Sequence, residues 1–126
     1  MSMNPKRVLL VEDDRFLRRA CEKSLQQQGF TVSTAPDGEE ALRAIRADPP
    51  DIILLDLLMP KVSGFEVLKD IRSDEKTRSI PVIILTNSSK ETDIREIQSL
   101  GVTGYLVKAN LSLEELGSQV KQALEG

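Results

Sequence analysis

Asp51–Asp56 reads DIILLD, four branched aliphatic side chains closed by a carboxylate. A run that is apolar at consecutive positions, without alternation, marks a strand covered on both faces, as in a parallel sheet flanked by helices. PVIIL (Pro81–Leu85) has the same character, and its proline is tolerable at the first strand position. The first stretch also delivers a lone Asp56 to its own end, where Leu57, Leu58, Met59 and Pro60 follow. A charge beside so much apolar surface is costly unless it is paired or coordinated.

Outward from these two strands the chain alternates. RVLLV (Arg7–Val11), the alternating TVSTA (Thr31–Ala35) and GYLVK (Gly104–Lys108) complete five expected strands. Arg15–Gln28 is expected as a helix with Phe16, Leu17, Ala20, Cys21, Ser24 and Leu25 on one face and Gly29 as its stop. Asp37 with Glu40 forms an acidic capping box before Ala41, Leu42 and Ile45, and Pro49–Pro50 end that helix. Phe65, Leu68 and Ile71 mark a third helix, and Ile94 and Ile97 a short fourth one stopped near Gly101. Ser112 with Glu115 caps a last helix lined by Leu113, Leu116, Val120 and Leu124. Five strand–helix repeats with right-handed crossovers predict a doubly wound α/β fold, a five-stranded parallel sheet in the flavodoxin-like order 2-1-3-4-5 with helices on both faces. An α/β barrel needs about 250 residues, and this chain has 126.

That length suits one domain, 1–126 with a core at about 6–125. No output domain is expected beyond the last helix. A net charge of −3 gives no basic surface for direct nucleic-acid contact. No apolar run spans a bilayer, and Met1–Lys6 is too short and polar for a signal peptide. The single Cys21 cannot form an internal disulfide, which fits a cytoplasmic setting, and its apolar neighbours make it a core filler. With no histidine, Ser-His and Cys-His catalysis and His-based metal sites are excluded.

In doubly wound sheets ligands bind outside the carboxyl ends of the strands. Here those ends carry Glu12-Asp13-Asp14, Asp56, Thr86 and Lys108. Clustered carboxylates suit a hard cation, and Mg²⁺ fits because it takes few protein carboxylates and keeps several waters. Asp13 and Asp56 are the expected direct ligands, Leu58 the expected backbone-carbonyl ligand, and Glu12 the one acting through a water. Lys108 and Thr86 suit an incoming phosphate, as a point charge and a hydroxyl donor. An aspartate beside Mg²⁺ and lysine can act as a nucleophile toward phosphorus.

VLLVEDD, LLDLLMP, Gly64, VIILT and GYLVK together resemble the receiver domain of two-component response regulators, the CheY-like family. The resemblance covers nearly the whole chain. It implies that Glu12 and Asp13 hold Mg²⁺, that Asp56 is the phospho-acceptor, that Thr86 is the switch hydroxyl and that Lys108 contacts the phosphoryl group. It makes Tyr105 the switch aromatic, although a plain packing role at the sheet edge reads equally well. The phosphoryl donor is then a sensor histidine kinase or a histidine phosphotransfer protein. The output is a downstream protein or self-association through the face of the fourth helix, fifth strand and fifth helix. The protein is then a switch that catalyses only its own phosphorylation and dephosphorylation.

The chain departs from the family at Ala109, where proline after a cis peptide is usual, and at Asn87, usually a small residue. The Lys108–Ala109 bond is expected trans, because a cis bond to a non-proline residue costs about 3–4 kcal/mol. Leu58 and Asn87 beside Ser88 predict slow loss of the phosphoryl group. Two other readings use parts of the same site. A haloacid-dehalogenase-type phosphatase needs a second acid two residues after its nucleophile, where this chain has Leu58. A non-phosphorylated pseudo-receiver would only bind proteins and would not need every site group.

Overall fold

The computed structural model describes residues 5–59, 61–87 and 91–125. The elements alternate as β1 (Arg7–Val11), α1 (Arg15–Gln27), β2 (Thr31–Ala35), α2 (Gly38–Ala47), β3 (Ile52–Asp56), α3 (Gly64–Ser73), β4 (Val82–Thr86), α4 (Glu91–Ser99), β5 (Gly104–Val107) and α5 (Leu113–Glu125). The strands form one parallel sheet in the order β2-β1-β3-β4-β5, as expected. Every residue of β3 and β4 is buried, which is why both lack alternation.

Two apolar layers sandwich the sheet. Leu9, Val11, Ile53, Leu55, Val82 and Ile84 meet Ala41 and Ile45 of α2, Val67, Leu68 and Ile71 of α3, and Ile97 of α4. Val8, Leu10, Ile52, Leu54, Ile83 and Leu85 meet Cys21 and Leu25 of α1 and Leu116 and Val120 of α5. Successive strand residues therefore feed opposite cores.

Local chemistry sets the helix ends. Asp14 caps α1 by accepting from the Phe16 and Leu17 N–H groups at 2.9 and 3.1 Å. Asp37 accepts from the Glu40 N–H at 2.8 Å, while the Glu40 carboxylate turns to Arg43. Ser63 and Ser112 cap α3 and α5. Each such cap contributes about 1 kcal/mol. Gly29 follows α1 at φ 98°, a left-handed conformation that ends the helix.

Some expectations need correction. Phe16 is 87% exposed and Ala20 is exposed, so the buried face of α1 is Cys21 and Leu25 with Leu17 beside them. At about 100° per residue Phe16 lies about 140° around the helix from Cys21. Leu113, one turn ahead of the buried Leu116, remains 37% exposed. Asp51 precedes β3 and accepts from the Arg7 N–H at 2.7 Å. Pro81 precedes β4, where its carbonyl accepts from the Ile53 N–H. Lys108 follows β5 and opens a 3₁₀ turn, Lys108–Asn110. The Lys108–Ala109 peptide is trans, as expected. No helix among the described residues is long and apolar enough to cross a membrane.

Candidate functional site

β1, β3 and β4 are in register, so their carboxyl ends lie side by side. Just past β1 the chain turns into α1, and three contacts hold that turn. The Glu12 N–H donates to the Ala35 carbonyl at 3.1 Å, the Asp14 N–H donates to Glu12 Oε2 at 3.0 Å, and Arg18 donates to the Glu12 carbonyl at 2.8 Å. Glu12 is thereby fully buried while Asp13 is exposed at the rim. Asp56 ends β3 at 3% exposure, and its Oδ1 accepts from the Leu58 N–H at 3.3 Å.

The carboxylates of Glu12, Asp13 and Asp56 each place an oxygen within 4.8 Å of the others. The Lys108 ammonium lies 2.6 Å from Glu12 Oε1 and 3.0 Å from Asp56 Oδ2. Those two buried oxygens receive no aligned hydrogen bond, so the ammonium compensates them as an ion pair only. Three carboxylates, two of them buried, against one ammonium leave net negative charge at the site. That imbalance, with two buried oxygens short of donors, fits a divalent cation with oxygen ligands.

The titrations follow the same geometry. Burial pushes the Asp56 carboxyl up to about 7, its contact with Asp13 and the Glu12 charge push the same way, and Lys108 opposes them. Desolvation raises Asp13, but contacts with Asp56, Glu12 and its own backbone, with the Lys108 charge, outweigh it and leave Asp13 lowered. Burial lowers the Lys108 ammonium, yet Glu12 and Asp56 hold it above the ordinary lysine value.

Thr86 ends β4 and is 1% exposed. Asp56 pairs in register with Leu85, so Thr86 stands one residue beyond it on the neighbouring strand. Tyr105 pairs with Ile84, and Val107 with Thr86. Alternation puts Thr86, Ile84 and Tyr105 on the same face of the sheet, the one covered by α2, α3 and α4, with Thr86 and Tyr105 as diagonal neighbours. Tyr105 is 38% exposed. Leu58 is 65% exposed and Asn87 is exposed, both just past a strand end. Pro60 and Ser88 lie outside the described residues. Sequence reasoning missed Arg18, which braces the Glu12 carbonyl, because an arginine in a charged helix face carries no mark of that role.

An acidic cluster, a buried aspartate, a hydroxyl and a lysine stand at the carboxyl end of a 2-1-3-4-5 sheet, the place where doubly wound folds bind their ligands. The family pattern of the response regulator receiver domain matches residues 8–121, and the chain belongs to that family. It is 41% identical to the transcriptional regulatory protein AfsQ1 of Streptomyces coelicolor, over 80% of this chain and 44% of that protein. It is 34% identical to the alkaline phosphatase synthesis transcriptional regulatory protein PhoP of Bacillus subtilis, over 94% of this chain and 48% of that protein. The chain thus spans about half the length of these curated relatives. The chemotaxis protein CheY4 of Vibrio cholerae superposes with a TM-score of 0.89 at 32% identity, over 95% of this chain and 99% of that one.

Proposed function

We propose that this receiver domain takes a phosphoryl group onto Asp56 from the phosphohistidine of a sensor histidine kinase or a histidine phosphotransfer protein in the cytoplasm. The observation that carries the reading is a 3% exposed Asp56 clustered with Glu12 and Asp13 and 3.0 Å from the Lys108 ammonium. In the transfer the phosphorus–nitrogen bond breaks and a bond to an Asp56 carboxylate oxygen forms. Asp13, Asp56 and the Leu58 carbonyl would hold Mg²⁺, and Glu12 would reach it through a water. A bound Mg²⁺ supplies neutralisation of charge on the phosphoryl oxygens. Lys108 and Thr86 receive the remaining oxygens. Leu58 and Asn87 at the rim keep hydrolysis slow.

Phosphorylation adds roughly two negative charges at the end of β3. Thr86 turns toward them, and Tyr105, its diagonal neighbour, follows into the vacated space. The α4–β5–α5 face then changes its affinity for a downstream protein or for a second copy. The test is intact mass after incubation with acetyl phosphate. Wild type should gain one phosphoryl group with MgCl₂ and none with a chelator, and Asp56→Asn should gain none in either. Full labelling of Asp56→Asn would sink the assignment, and steady phosphatase turnover would favour the dehalogenase-type reading.

A further inference from the structure

Two glycines frame the chain between β3 and α3 by leaving no room for a Cβ. At Gly64 an added Cβ would overlap the Asp56 carbonyl oxygen and stand 2.6 Å from the Leu57 Cα. The Gly64 N–H also donates to the Leu57 carbonyl at 2.8 Å. At Gly38 an added Cβ would overlap the Val62 carbonyl oxygen and stand 2.9 Å from both the Val62 carbonyl carbon and its Cβ. Real Cβ atoms do not approach that closely, and the obstacles are main-chain atoms and the Val62 Cβ, which move only if the backbone moves. Gly38 is the first residue of α2, directly after the Asp37 cap, and is buried. The backbone therefore stacks as Gly38 against Val62, then Ser63, then Gly64 against Asp56.

We propose that Gly38 is a positioning residue for Asp56, acting through the Val62–Gly64 backbone; the inference rests on Asp56 and Asp13 holding Mg²⁺ as set out above. The Val62 carbonyl lies against the amino end of α2, where the helix dipole favours negative charge. Val62 itself is half-buried and packs against the α2–α3 core. Lys61, just before it, takes φ 68°, a conformation that side chains other than glycine adopt at a cost. A Cβ at position 38 must push Val62 away from α2, and Gly64 transmits that push to the Asp56–Leu57 peptide. By helix propensity alone, Gly38→Ala would be neutral or stabilising.

The experiment is calorimetric titration of MgCl₂ into the wild type, Gly38→Ala and Gly38→Ala/Val62→Gly, with far-ultraviolet circular dichroism on each. The expected result is a loss of about tenfold to hundredfold in Mg²⁺ affinity for Gly38→Ala, the range seen when partners behind a metal ligand are disturbed. Glycine at 62 absorbs the push in its own backbone, so the double variant should lose less than the roughly tenfold minimum expected of the single one. Wild-type affinity in a folded Gly38→Ala overturns the proposal. So does a double variant that keeps the weak affinity of the single one, because the effect then arises within α2. Should Gly38→Ala not fold, the double variant decides: wild-type affinity supports the proposal, and weak affinity or failure to fold overturns it. A wild type that binds no Mg²⁺ would instead refute the proposed function.

Discussion

Cys21 shows how strongly position governs a single side chain. Its thiol sits in the α1–α5 core at 0% exposure, and burial pushes it up to about 11, helped by the Glu12 charge and opposed by Lys108. The ordinary value is 9.0, so the folded protein holds this proton more tightly than the unfolded chain does. The thiol's contribution to stability is therefore complete below pH 9.0 and lost as pH rises through about 11. At pH 8 the native protein presents about a hundredfold less thiolate than the unfolded chain, before access is counted. Maleimide labelling at pH 8 should be at least about a hundredfold slower natively than in urea, and equal rates would refute the burial of this residue. The sequence already marked Cys21 as a core filler from its apolar neighbours. It also placed Phe16 on the same face, and there a helix period read too generously turned an 87% exposed side chain inward.

Between elements, Arg72 does what no apolar contact can. It stands in the last turn of α3 and donates to the carbonyls of Leu100 and Gly101 after α4 and of Arg78 and Ile80 before β4, at 2.7–3.1 Å. Its planar fork reaches two loops at once, and burial lowers its ordinarily very high pKa. The carboxyl end of α4 is thus tied to α3. Arg72→Gln should cost about 1–3 kcal/mol in urea unfolding and raise amide exchange at Gly101–Gly104. Arg72→Lys should recover little, since an ammonium cannot span four carbonyls. An Arg72→Gln protein as stable and as protected as wild type would show the tie to be idle. Nothing in the sequence sets Arg72 apart from Lys69, the other basic residue of α3. Its partners are main-chain carbonyls, which every residue carries, so only the folded path of the loops selects them. The caps differ, because Asp37 and Ser112 act within three residues of themselves and are legible locally.

At the scale of the molecule, one sheet separates two cores that nonetheless share every central strand. Ile71 on α3 lies in one core and Ile83 on β4 in the other, each 1% exposed. Ile71→Val and Ile83→Val should each cost about 0.5–1.5 kcal/mol. Because the sheet lies between them, the double variant should equal their sum within about 0.5 kcal/mol. Urea melts of all three should show one transition with an unchanged slope, and a second transition would mean that the layers unfold separately. The sequence by itself determined the order of elements, the double-sided burial of β3 and β4, the sheet order and the set of groups at the strand ends. These follow from periodicity, caps and crossover handedness, all of which act over short stretches or through general chain geometry. Only the tertiary structure decided that Lys108 lies 2.6 Å from Glu12 and 3.0 Å from Asp56, that Thr86 and Tyr105 share a face, and that Gly38 abuts Val62. These pairings join residues far apart in the chain, and their distances depend on register and on how closely backbones approach, which residue types alone do not encode.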